Sequence, residues 1–161
     1  MTQLFARVSA TVLMFFAGLV AATVIPTAFG WSASVVVSGS MTPAIAIGDV
    51  VVAAPVRDAD IRPGRVLRFR DPSDPRRFVL HRVVAVGADG TVVTKGDAAA
   101  AADSAHVSVA DVTGRAALRV PWVGLPGLWL RDGAYGNLAG LGVALVLLSA
   151  LASRGMAADR A

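Results

Sequence analysis

The chain has 161 residues, room for one modest domain, and 55% of them are hydrophobic, more than a soluble domain of this size usually carries. It contains no cysteine, which excludes disulfide staples and any cysteine-nucleophile chemistry. The formal net charge of +4 suggests a nucleic-acid binder, but residues 32–132 hold 12 Lys and Arg against 10 Asp and Glu, so no nucleic-acid partner is expected.

From Val8 to Trp31 the sequence has no charged residue over 24 positions. About 20 apolar residues suffice to span a bilayer. The run also exceeds the roughly 7–15 apolar residues of a cleaved secretory signal, so residues 1–31 read as a short cytoplasmic tail and an uncleaved membrane anchor. Beyond it the pattern turns short and valine-rich. Ser34–Ser38, Asp49–Ala54, Arg65–Arg70, Phe78–Val86 and Thr91–Thr94 read as strands, with Val107–Val109 and Ala116–Val120 as two more. Breakers separate them: Arg62-Pro63-Gly64, Asp71-Pro72-Ser73-Asp74-Pro75 and Ala88-Asp89-Gly90, the last a hairpin signal. No amphipathic helix of useful length is read between the spans. Ala98–Ala102 reads as a helical turn or a pliable loop between two aspartates.

The arginines at 62, 65, 68, 70, 76 and 77 interleave with aspartates at 58, 60, 71 and 74, the pattern of a solvated, ion-paired face. Contact with anionic lipid headgroups is the alternative. Gly133–Ser153 supplies 21 further uncharged positions and reads as a second span, leaving 154–161 as a tail. Arg7, Arg154 and Arg160 against Asp159 give a weak positive-inside signal, which places both tails in the cytoplasm and residues 32–132 outside. The expected architecture is a mainly β domain at 32–132 flanked by an N-terminal and a C-terminal transmembrane helix.

Chemistry is concentrated at a few positions. Ser40 is pinned in Ser38-Gly39-Ser40-Met41-Thr42-Pro43, between the first span and Gly48-Asp49-Val50-Val51-Val52. A serine hydroxyl is a poor nucleophile until a base takes its proton. The bases on offer are His81, His106 and Lys95. A histidine base needs an acceptor on its second nitrogen, and chemically either Asp97 or Asp103 can supply it. The isolated His and Asp residues make no metal-ligand cluster, and no cofactor is expected.

Taken in order, Ser-Gly-Ser-Met-x-Pro, Gly-Asp-x-Val-x-Val, His81-Arg82-Val83 and Lys95-Gly96-Asp97 with Asp103 six positions on resemble the type I signal peptidases. The His-Arg-Val segment resembles their endoplasmic-reticulum and archaeal branch, where the bacterial branch has a lysine. Ala98 departs from the asparagine usual there. The resemblance implies a membrane-bound serine endopeptidase that removes signal peptides from exported preproteins, with preprotein signal peptides and the lipid bilayer as partners. It implies Ser40 as nucleophile, His81 as base and Asp103 as orienting acid. Asp97 then structures the loop, and Ser38 with the Ser40 N–H serves the oxyanion. A Ser40–Lys95 dyad of the same fold and a catalytically silent membrane scaffold are the alternatives.

Overall fold

The computed structural model describes residues 2–158, with side chains from 3 to 153. The chain divides into two compact units, one of residues 2–22 with 125–158, the other Thr23–Gly124.

The first unit is helical: α1 (Thr2–Val24), α2 (Leu125–Arg131) and α3 (Tyr135–Ala158). Segments Gln3–Phe29 and Tyr135–Ser153 are long and apolar enough to cross a membrane. Large apolar side chains stay exposed along both, among them Phe5, Met14, Phe15, Val143 and Val146. A long helix apolar on all sides is stable in water only when buried, and these are not. After α1 the chain tightens into a 3-10 turn, Ile25–Phe29, with a proline in its first turn. Proline cannot donate to the α-helical ladder, and Gly30, left-handed at φ 79°, closes the turn. The short α2 has no counterpart in the sequence reading. It begins with Pro126 in its first turn, where the missing N–H costs nothing, and its seven residues are too few for a periodic signal. The tail expected at 154–161 continues α3 as far as Ala158, and residues 159–161 lie outside the described residues.

The second unit is a seven-stranded sheet, antiparallel at every pairing, built from β1 (Ser32–Val35), β2 (Val50–Ala54), β3 (Val66–Asp71), β4 (Asp74–Val86), β5 (Thr91–Lys95), β6 (Val107–Ser108) and β7 (Val112–Val120). The strand order is β1-β2-β7-β3-β4-β5-β6. This is the mainly β domain with apolar helices at both ends that the sequence predicts. Two apolar clusters hold it. Leu67, Phe69, Val83, Val92, Val107 and Val112 form one, and Val36, Met41, Ile45 and Val51 form the other beneath the Ser40 turn. Truncating a side chain as buried as Leu67 to alanine costs about 2–5 kcal/mol.

The breaker expected at 71–75 narrows to a two-residue turn, because Asp71 pairs with Asp74 and β4 begins there rather than at Phe78. Two further strand limits differ from expectation for visible reasons. The first strand leaves the ladder at Val35, because Val36 turns its N–H to the Asp49 carbonyl and its own carbonyl to the Gly48 N–H. The last begins at Val112 rather than Ala116. Gly114, which breaks the apolar run in sequence, lies so close to β2 that a Cβ there would stand 3.0 Å from Ala53 Cβ. The Asp-Gly hairpin forms as a four-residue loop at 87–90, with Gly90 at φ 78° and Asp89 Oδ1 accepting from both the N–H and the hydroxyl of Thr91. Asp49 is buried and structural. It accepts from the Ala46 N–H, from Arg119 Nε at 2.7 Å and from the Trp122 N–H, tying three segments to the start of β2.

Candidate active site

His81 belongs to the middle of β4, paired with Leu67 of β3 in a continuous ladder. The edge of its ring meets Phe69 at 6.3 Å between centroids, so the imidazole is held by both backbone and packing. Its Nδ1 lies 2.6 Å from Asp103 Oδ2, and its side chain is 16% exposed. A carboxylate only accepts, so Nδ1 carries a hydrogen, and in the neutral ring Nε2 then has the lone pair. The structure thus brings Asp103, of the two aspartates, to His81.

Asp103 is itself positioned from β5. Thr94 donates its hydroxyl to the same Oδ2 at 2.6 Å, and the Thr94 carbonyl accepts from the Asp103 N–H at 2.8 Å. Thr94 is wholly buried. A polar side chain in such a place is stable only with its hydrogen bond made, so the pair is a fixed two-point link. Sequence reasoning passes over Thr94. The only available signal is its place directly before Lys-Gly-Asp.

Asp97 has a different partner. Arg82, the residue after His81, reaches it through Nε at 2.8 Å and through a second nitrogen at 2.7 Å, and gives its remaining arm to the Gly64 carbonyl. That bidentate hydrogen bond, outweighing the cost of burial, holds the Asp97 carboxyl below the usual carboxylate range. The fork fastens β4 to the Gly96-Asp97 turn.

Ser40 stands on that turn's other side. Its carbonyl accepts from the Ala98 N–H at 2.9 Å, while Thr42 closes the preceding turn by donating both its N–H and its hydroxyl to the Gly39 carbonyl. The Thr42–Pro43 peptide is cis, and Met41 is buried in the apolar cluster below. Gly96 fills the space between Ser40 and His81. A Cβ there would fall 2.6 Å from the Ser40 carbonyl oxygen, 3.2 Å from His81 Nε2 and 3.3 Å from Ser40 Cβ. Ser38 Oγ lies 3.4 Å from Ser40 Oγ.

Ser38, Ser40 and His81 share one groove of about 510 Å³, walled by residues 34–37 on one side and 77–80 on the other. Lys95 is not among its lining residues, and its ammonium reaches the Ala100 carbonyl at 3.3 Å. Among the described residues no group of three or more His, Asp or Glu is placed to hold a metal ion.

A sheet domain with a serine and a histidine along one groove and an aspartate on the histidine's second nitrogen, with apolar helices at both ends, has the features of a membrane-associated hydrolase. The family model for signal peptidase, peptidase S26, matches residues 8–120, and the chain belongs to that family. It is 37% identical over 87 residues to signal peptidase I W of Bacillus subtilis (strain 168). That match takes in 52% of this chain and 45% of the Bacillus protein, so the two align over about half the length of each.

Proposed function

We propose that this chain is a membrane-bound serine endopeptidase that removes signal peptides from exported preproteins. The observation that carries the mechanism is the 2.6 Å contact between His81 Nδ1 and Asp103 Oδ2, with His81 Nε2 and Ser40 Cβ flanking Gly96, each within 3.3 Å of where its Cβ would stand. In this reading His81 Nε2 takes the Ser40 proton as Oγ attacks the scissile carbonyl, and Asp103 stabilises the imidazolium that forms. The imidazolium then gives its proton to the leaving amine. A water, activated by the same nitrogen, hydrolyses the acyl-enzyme. The Ser40 N–H and the Ser38 hydroxyl serve the oxyanion. This is the arrangement of the endoplasmic-reticulum and archaeal branch. The Ser40–Lys95 dyad has less support, because Lys95 lies outside the groove lining and its ammonium is engaged elsewhere.

The substrate is an extended preprotein segment with small residues at the first and third positions before the cut. It lies between residues 34–38 and β4, in the manner of a peptide added along exposed strand backbone. The two apolar helices span the cell membrane, with both tails in the cytoplasm and the sheet domain outside.

The test is to incubate the purified, detergent-solubilised chain with a preprotein and map the cut by mass spectrometry. A single cut after the signal sequence is expected, with turnover falling by several orders of magnitude in Ser40→Ala while the protein stays folded. Retained cleavage in Ser40→Ala, or turnover lost in Lys95→Arg but kept in His81→Gln, overturns the assignment.

A further inference from the structure

Several arginines of the sheet domain reach a carboxylate. Arg82 pairs with Asp97 at 2.7 Å, Arg119 with Asp49 at 2.7 Å, and Arg115 with Asp60 at 3.1 Å, the last without hydrogen-bond alignment. Arg68, partly buried, pairs with no aspartate among the described residues; neither does Arg65, but of the two only Arg68 lines the groove.

Arg68 is nevertheless held still. Its Nε donates to Ser34 Oγ at 2.9 Å and another nitrogen to Thr113 Oγ1 at 2.9 Å. The Phe78 ring stacks on its guanidinium, 3.5 Å from the ring centroid. Burial lowers its proton affinity from the ordinary arginine range, the sign of a charge partly removed from water without a counter-charge. Desolvating a cation is costly unless an anion joins it. Two hydroxyls and an aromatic face orient a guanidinium, but they do not neutralise it. The groove's other charged lining residues are Asp71 and Arg77, and Asp71 makes no ion pair with Arg68, so the lining as a whole carries a net positive charge.

We infer that Arg68 is a subsite for a carboxylate carried by the bound peptide, about three to five residues to the N-terminal side of the scissile bond. The inference rests on reading the groove as the peptide cleft. Its position follows from the strands. Arg68 is in register with Leu80 and covers Phe78, three residues along β4 from His81. At about 3.3 Å per residue that separation is roughly 10 Å, or about three residues of an extended peptide plus the reach of its side chain. The N-terminal direction follows from the chain itself. Ser34, which anchors Arg68, comes just after the first apolar segment ends at Phe29, and a preprotein's apolar segment likewise precedes its cut. A carboxylate arriving there meets a fork already oriented for charge-assisted hydrogen bonds, so little side-chain entropy is lost on binding.

The experiment measures binding and cleavage separately. Fluorescent peptides carry an apolar segment and small residues at the first and third positions before the cut. Each bears Asp, Asn or Lys at one position from the second to the sixth. Their binding to the detergent-solubilised full chain with Ser40→Ala is followed by anisotropy, and their cleavage by the chain with Ser40 intact. Asp should bind about 10-fold more tightly than Asn at one position between the third and fifth, with Lys weakest. The Asp-to-Asn ratio should fall to about one when Arg68→Gln is added and recover in part with Arg68→Lys. A ratio of one at every position in the Arg68 chain overturns the inference, and this arm needs no arginine variant to fold. So does a ratio that survives Arg68→Gln. A gain in binding to anionic over neutral vesicles that depends on Arg68, with no peptide charge preference, assigns the cation to lipid headgroups and equally overturns it. Peptides bound with the carboxylate preference but never cut would instead refute the proposed peptidase activity and leave the subsite standing.

Discussion

The base and the nucleophile of the proposed site are held in opposite ways. His81 sits inside a thirteen-residue strand, laddered to β3 at its own position and to β5 from the next residue on. Its place is fixed by register, and a slip of one residue would turn it to the other face of the sheet. Ser40 lies outside any strand, in a turn fastened by Thr42, by the burial of Met41 and by the Ala98 N–H. Nothing in the sheet's register sets its distance from His81. The setting comes from the 94–103 segment, which touches both: Gly96 and Ala98 against Ser40, Thr94 and Asp103 toward His81, Asp97 on Arg82. In the proposed site a base fixed by the sheet is thus paired with a nucleophile placed by a neighbouring loop, which makes that loop the adjustable part.

The sharpest way to break the contrast is Gly96→Ala. The new methyl would stand 2.6 Å from a backbone oxygen, which no side-chain rotation relieves, so the Ser40 turn and His81 must move apart. Displacement of reacting groups by about 1 Å costs about 10²-fold or more, and kcat should fall by at least that much while the sheet's far-UV signature is kept. Loss of the folded sheet instead would show that the loop is part of the core. Next in size is Ser38→Ala, expected to lower kcat by about 10²-fold with KM little changed if its hydroxyl serves the oxyanion. Raised KM at unchanged kcat would make Ser38 a substrate contact.

Much of this was legible before any coordinates. Valine-rich runs bounded by Gly, Pro and Asp mark strands because branched side chains and breakers act locally, and four of the seven fall within about a residue of their expected places. Ser40, His81, Asp97 and Asp103 stand out because motif spacing is a property of the chain. What stayed hidden depends on contacts between distant segments. The resemblance points to Asp103 over Asp97, but the contacts that hold it at His81, from Thr94 and the Arg82 fork, do not follow from composition. Arg68 looks in sequence like one more member of a solvated arginine run. Only the fold shows it sandwiched between Ser34, Thr113 and Phe78.

A finer probe of the loop's hold on the base is Thr94→Val, which keeps shape but removes the hydroxyl that shares Asp103 Oδ2 with His81. A lost hydrogen bond to a charged group is worth about 1.5–3 kcal/mol, part of which the substrate-bound state recovers, so kcat should drop about 10-fold. Thr94→Ser should restore most of it, because the hydroxyl returns without the methyl. Equal losses in Val and Ser variants would mean that packing, not the hydrogen bond, is what Thr94 supplies.

The smallest effect is expected where the loop meets β4 away from the reacting atoms. Asp97→Asn keeps the shape of the Arg82 fork but removes its charge, and should cost about 1–2 kcal/mol of stability, measured by denaturant or heat in detergent. The sign of its pH dependence is fixed by the direction of the shift. The Asp97 carboxyl is held below its ordinary value by the Arg82 hydrogen bond. Its contribution is therefore complete above the unfolded-state value of about 3.9 and is lost as the pH falls from there through the depressed folded value. The wild-type chain should lose stability across that acid window, and Asp97→Asn should lose less, so that the two curves converge at low pH. Parallel curves would mean that the Asp97 carboxyl titrates alike in the folded and unfolded chain, and that β4 and the loop are joined by something other than this ion pair.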